Sequence, residues 1–234
     1  MNRRLYALHR WVSLLASLQL LAWSVSGLFF ALTPEARVKG TPVVRAHVAS
    51  IDGPLAGLDE VLRAATLALG QPAERIELGG SPAGPVVVVR AGKKAVRLNA
   101  RTGEPWVVDE AEAREIARRD QPGAPTVTSI ERVERDAPVE YRGRPLPAWA
   151  VDLADPDRTR VYLDASTGEV TARRNQTWRT YDFLWGLHIM DYREHEDFRH
   201  PLLIGAAGLT VATAVTGLVL WVLRGWRAWN RRRG

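Results

Sequence analysis

The densest polar run in the chain is His188-Ile189-Met190-Asp191-Tyr192-Arg193-Glu194-His195-Glu196-Asp197-Phe198-Arg199-His200. On a helix, His188, Asp191 and His195 fall at spacings of three and four and share one face. Two imidazoles and a carboxylate so placed make a divalent-metal site. The same run reads more simply as an amphipathic elbow lying on a lipid surface. Trp178, Trp185 and Tyr192 are then its aromatic anchors. His9 stands far away beside Arg10 and Trp11, where it reads as an interfacial anchor. His47 is alone in a loop-like segment with no nucleophile pattern near it. The chain has no Gly-x-Ser-x-Gly, no His-Glu-x-x-His and no phosphate loop, so no hydrolytic site is expected. Asp152, Asp155, Asp157 and Asp164 are expected in turns and on exposed strand faces. There is no cysteine, which excludes disulfides, thiolate chemistry and Cys-held metals within this chain.

Two apolar runs position these residues. No charge interrupts 11–32 or 201–223, and about 20 residues of helix cross the hydrocarbon of a bilayer. A helix is the single-segment structure that satisfies its own backbone there. The first run exceeds the length of a signal-peptide core and has no good cleavage site after Phe29-Phe30-Ala31-Leu32-Thr33, so it is expected to be retained. Arg3, Arg4 and Arg10 flank the first run; Arg224, Arg227, Arg231, Arg232 and Arg233 follow the second. Arginines beside spans mark the cytoplasmic side. Both termini are therefore expected in the cytoplasm, with residues 33–200 across the membrane, which fits a bacterial inner membrane and its periplasm. Of 32 basic residues these eight belong to the tails, leaving 24 against 26 acidic ones, a middle of about −2. The net charge of +6 thus speaks for lipid contact and against nucleic acid.

Between the spans, 33–52 reads as an extended linker. Leu58, Val61, Leu62, Ala65 and Leu69 repeat at helical spacing, with Asp59 and Glu60 at the start and Gly70 at the end. Strand patterns follow at 75–78, 84–90 and 94–99. A second helix over 109–119 precedes strands at 127–134, 148–153 and 159–164. An internal repeat ties these together. Val96-Arg97-Leu98-Asn99-Ala100-Arg101-Thr102-Gly103-Glu104 matches Val161-Tyr162-Leu163-Asp164-Ala165-Ser166-Thr167-Gly168-Glu169, 65 residues on. Each copy is a strand entering a turn, where Asn or Asp caps backbone N–H groups and Gly takes the positive φ. The fold class is α+β, with tandem units of one helix on an antiparallel sheet, flanked by two transmembrane helices. The divisions are a cytoplasmic N-terminus (1–10), span one (11–32), linker (33–52), first unit (53–107), second unit (108–175), juxtamembrane elbow (176–200), span two (201–223) and basic cytoplasmic tail (224–234). Gln19, with Ser13, Ser17 and Ser24, and the Gly208, Ala212, Thr216 stripe favour helix packing, within one subunit or in a homodimer.

The second repeat carries a resemblance. Pro147-Ala148-Trp149-Ala150-Val151-Asp152-Leu153 followed by Val161-Tyr162-Leu163-Asp164-Ala165-Ser166-Thr167-Gly168-Glu169 resembles the PepSY family. Leu8-His9-Arg10-Trp11, Gly186-Leu187-His188 and Thr216-Gly217-Leu218-Val219-Leu220-Trp221 are similar to the ends of PepSY-associated transmembrane proteins. That resemblance implies a helix-plus-hairpin fold, a periplasmic body and membrane anchoring, with binding of a periplasmic protein or peptide partner. Larger relatives with four or more spans look like iron-uptake-associated membrane reductases that hold haem by intramembrane histidines. It therefore implies, as the alternative, haem b and transmembrane electron transfer linked to iron. This chain has two spans, and about 30 Å of membrane separates His9 from His188. The implied ligands His9, His188 and His200 would then pair across a homodimer, as in a four-helix bundle.

Overall fold

The computed structural model describes residues 3–41 and 51–233. It divides into two units, one of Met1–Pro34 with Thr180–Gly234 and one of Glu35–Arg179. The fold is mixed helix and antiparallel sheet, as the periodicities require, with two helices long and apolar enough to cross a membrane.

The first unit is helical. Helix α1 (Arg3–Leu32) contains one candidate span, Arg10–Leu32. The other candidate, Pro201–Arg231, lies in the last helix of the chain, Pro201–Arg233. These two helices pack on each other. Their hydroxyls bond back along their own helix: Ser24 Oγ donates to Leu20 O at 2.9 Å and Thr210 Oγ1 to Ala206 O at 2.8 Å. Such bonds satisfy a hydroxyl where lipid offers no partner. Gln19 Nε2 is buried with no hydrogen-bond partner among the described residues. On the last helix Leu203, Ala206, Ala207, Thr210 and Thr213 form the half-buried face, whereas Gly208, Ala212 and Thr216 are exposed. The small-residue stripe therefore does not serve packing within this subunit.

The second unit opens with a short helix, α2 (Glu35–Val38), where extended chain was expected. Lys39 pairs with Glu35, and Asn175 Nδ2 donates to Arg37 O at 2.9 Å, which fixes this turn to the end of the last strand. Gly40 closes it at φ +60, with a Cβ position 3.0 Å from Arg173 Cβ, so neither the backbone nor the space suits a larger residue. The rest of the linker, 42–50 with His47, lies outside the described residues.

Two α+β layers follow. Helix α3 (Leu58–Leu69) starts with acids, ends at left-handed Gly70, and covers a three-stranded sheet. The strands are β1 (Arg75–Ser81), β2 (Gly84–Ala91) and β3 (Lys94–Asn99), in the order β1-β2-β3. Val61, Ala65 and Leu69 bury against Val87, Val89, Ala91 and Leu98. Helix α4 (Glu110–Asp120) is capped by Asp109, whose carboxylate accepts from Glu112 N at 2.8 Å. It covers a four-stranded sheet of β4 (Val127–Val133), β5 (Ala148–Leu153), β6 (Arg160–Asp164) and β7 (Val170–Arg174). Ala113 and Ala117 sit on Trp149, Val151, Val161 and Leu163, and Trp149 Nε1 donates to Val108 O at 3.1 Å. The opposite face of this sheet carries stacked Tyr141 and Tyr162, with ring centroids 4.2 Å apart.

The repeat is legible atom by atom. Asn99 Oδ1 accepts from Arg101 N at 2.8 Å, and Asp164 Oδ1 accepts from Ser166 N at 2.7 Å. Gly103 N and Gly168 N each donate to the carbonyl of that Asn or Asp at 2.8 Å, with φ of +70 and +79. The chain then leaves β7 into helix α5 (Gln176–Ile189) and reaches the last helix, α6 (Pro201–Arg233).

Candidate functional site

Chemistry-bearing residues gather in each unit. In the second unit the β1-β2-β3 sheet has two faces. Val87 and Val89 point to α3. Glu77, Gly79 and Ser81 pair with Val88, Val86 and Gly84, and by strand alternation lie on the other face. That face borders a cleft of about 300 Å³, near the lower end of ligand-pocket sizes. Ile116 and Arg119 of α4, with Thr167, Gly168 and Glu169 of the β6–β7 turn, line its far side.

The cleft also touches a buried ion pair. Arg97 on β3 and Glu112 on α4 have side chains only 1% and 3% exposed. Arg97 Nη1 donates to Glu112 Oε2 at 2.9 Å, Nη2 donates to Oε1, and the Ser81 hydroxyl also donates to Oε1. Trp106 lies under the guanidinium, 5.0 Å from its centre. Arg97 Nε is buried without a partner among the described residues. An unmet buried donor costs about 1–3 kcal/mol, so such atoms are rare in stable folds. Around the rim the charges are already matched: Arg75 with Glu77 at 2.6 Å, Arg90 with Glu169, and Arg119 with Glu115. Among the described residues the outer edge of β1 has no strand beside it, and its Ile76 and Leu78 are exposed.

In the first unit α5 lies on the C-terminal part of α1. Phe30 packs on Tyr181, Trp185 and His188, with centroids 4.6, 5.9 and 5.5 Å away. Trp23 Nε1 donates to His188 O at 2.7 Å, and Ser26 Oγ is 2.7 Å from His188 Nδ1. The serine has one proton, and Ala22 O lies 2.8 Å from the same oxygen. With that proton on Ala22, Nδ1–H of His188 donates to Ser26 and Nε2 keeps a lone pair. The other tautomer would leave Nε2–H without an acceptor among the described residues. Burial holds the His188 imidazole below its ordinary pKa, in the neutral form.

The expected metal face does not form. Helix α5 stops at Ile189, and Met190 at φ +58 turns the chain away, so His188, Asp191 and His195 lose helical register. The Asp191 carboxylate and Nδ1 of His195 are also engaged elsewhere. The Asp191 carboxylate accepts backbone N–H groups from Arg193, Glu194, Glu196 and Asp197 at 3.0–3.2 Å. Those donors, Asp197 and Glu196 foremost, hold its pKa below the usual carboxylate range. His195 Nδ1 is 2.9 Å from Asp182 Oδ2, and its ring sits on Gly186, where an added Cβ would come within 2.7 Å. Among the described residues no three metal-ligating side chains converge.

The expected haem ligands separate likewise. His188, with Nε2 free and aromatic rings around it, fits an axial ligand. His200 instead caps α6: its Nδ1 accepts from Leu202 N at 3.3 Å, and its carbonyl accepts from Ile204 N at 3.2 Å. That places the proton on Nε2, where a ligand needs a lone pair. His9 belongs to α1, and its side chain lies outside those described.

Sequence reasoning passed over Arg97, Glu112, Gly79, Ser26 and Asp182. Arg97 had one signal: in the repeat it occupies the place of Tyr162, so the two copies differ where one faces α4. The sequence pattern of the family described as PepSY-associated TM region matches residues 6–234. No curated protein and no solved structure matches the chain.

Proposed function

The chain belongs to the PepSY-associated transmembrane family, and on that premise we propose that it is an inner-membrane anchor for a periplasmic binding module. The module captures an extended segment of a protein or peptide partner. The observation that supports this is the outer edge of β1, unpaired among the described residues, seven residues with no proline inside and two adjacent glycines, Gly79 and Gly80. A free edge presents backbone donors and acceptors in the register a guest strand uses. Arginine-rich ends hold both termini in the cytoplasm, which leaves the Glu35–Arg179 unit on the periplasmic side. The exposed Gly208, Ala212 and Thr216 stripe on α6 is the surface through which two copies pair in the membrane.

Hydrogen exchange of the full chain in nanodiscs, with and without periplasmic extract, tests the binding reading. Slowed exchange of β1 amides is the expected result. Unchanged β1 exchange, alongside protection elsewhere or none, removes it.

A second reading rests on His188. Its ring is held at Nδ1 by Ser26 and framed by Trp23, Phe30 and Trp185, and the unprotonated Nε2 suits haem b ligation at a dimer contact. Haem would supply one-electron transfer towards iron. What this chain contributes is a fixed, neutral imidazole and an aromatic wall that limits water. An absorption spectrum of protein purified from haem-replete cells decides it; a colourless preparation eliminates this reading.

A further inference from the structure

We propose that the cleft beside β1 selects what the edge binds: an uncharged strand, apolar on both faces, with one side chain seated over Gly79. This rests on the strand-capture reading and adds its specificity.

Three observations meet at this place. The first is the gap at Gly79. An added Cβ meets no atom within 4 Å, and the residue is not in the left-handed region, so glycine is not demanded by strain. A glycine inside a strand marks the close approach of a ligand or another backbone. Val86 and Val88 border the cleft on the neighbouring strand and Ile116 on α4. The second is charge. Arg75–Glu77, Arg90–Glu169, Arg119–Glu115 and Arg97–Glu112 are all paired around this space. A charged guest would enter without a counter-ion and pay its desolvation. The third is the opposite face of the same edge. Ile76 and Leu78 are 39% and 47% exposed, and a guest strand beside them covers both. The edge therefore asks for apolar residues on either side of the guest.

The side chain over Gly79 is limited in size by the cleft volume of about 300 Å³.

The test uses the full chain in nanodiscs and two fluorescent probes of equal length. One is an end-blocked peptide of alternating valine and alanine; the other carries glutamate and lysine in place of the valines. Anisotropy reads binding, and hydrogen exchange reads protection of β1. The expected result is β1 protection by the uncharged probe, at least tenfold weaker binding of the charged probe, and at least tenfold weaker binding to Gly79→Val. The Gly79→Val protein should melt no lower than wild type, because the added Cβ meets no atom within 4 Å and valine favours a strand. If the uncharged probe protects β1 equally in wild type and Gly79→Val, the cleft has no selecting role, although strand capture stands. Equal affinity for the two probes overturns the specificity in the same way. If the uncharged probe leaves β1 exchange unchanged in wild type, strand capture itself fails and the specificity with it.

Discussion

Ser26 Oγ and His188 Nδ1, 162 residues apart in the chain, lie 2.7 Å from each other. This contact joins the helix of the first apolar run to the last turn of α5. Ser26 is 2% exposed, buried by α5 and its own neighbours. It also fixes which imidazole nitrogen carries the proton, and so which nitrogen is available to a ligand.

Ser26→Ala removes the acceptor and leaves His188 Nδ1–H unpaired. The expected cost is about 1–3 kcal/mol, the range for an orphaned buried group. Denaturant unfolding in detergent measures it. Nitrogen chemical shifts of the His188 ring should also show loss of the single tautomer. An unchanged tautomer would mean that Ser26 does not hold it.

If haem is bound, His188→Ala should abolish the Soret band and His200→Ala should leave most of it. His200 acts as a helix cap, and its alanine variant should lose about 1 kcal/mol of stability instead. Loss of the band in both variants would show that His200 leaves its capping role to ligate.

Glu112→Ala strands the Arg97 guanidinium in the floor of the cleft. Breaking a buried pair on one side costs about 3–5 kcal/mol. The Arg97→Met, Glu112→Leu double variant should recover much of that loss, since it buries no charge. Thermal unfolding of the single and double variants gives the comparison; equal losses would argue against the pair as the cause.

Asp191 gives a pH dependence. Its folded pKa is lowered, so its contribution is complete above the ordinary carboxylate pKa of about 4 and is lost as pH falls through the lowered value. Asp191→Asn keeps one acceptor oxygen but loses the one that holds Glu196 and Asp197. Wild type should exceed the variant in stability by a constant margin from pH 5 to 7, and the margin should close below pH 4. Unfolding midpoints across that series provide the check.

The exposed small stripe predicts a steric effect. Ala212→Ile adds bulk where helices of two copies would approach, and should shift the protein from dimer to monomer in detergent. Sedimentation with density matching reads the mass; an unchanged mass would exclude this face.

The sequence alone was enough for the local features. Charge-free runs long enough for a bilayer, the helical spacing from Leu58 to Leu69, and the Asn99 and Asp164 turns depend on neighbours in the chain, and these appear in the structure. Strand β7 and the extension of β1 through Gly79 and Gly80 carried too little pattern; partners on β6 and β2 created them. The pairing of Arg97 with Glu112 also required two elements to meet, and each side chain by itself looked like an ordinary surface charge. The histidines show the boundary most clearly. Spacing placed His188, Asp191 and His195 on one helical face, but a helix continues only while no better set of bonds is offered. Here the Asp191 carboxylate gathers four backbone N–H groups and His195 finds Asp182, so the helix ends at Ile189. Residue types and their order determined the membrane frame and the repeated units. Which donor meets which acceptor was decided only in three dimensions, because hydrogen bonds and cavities depend on distances that sequence separation does not encode.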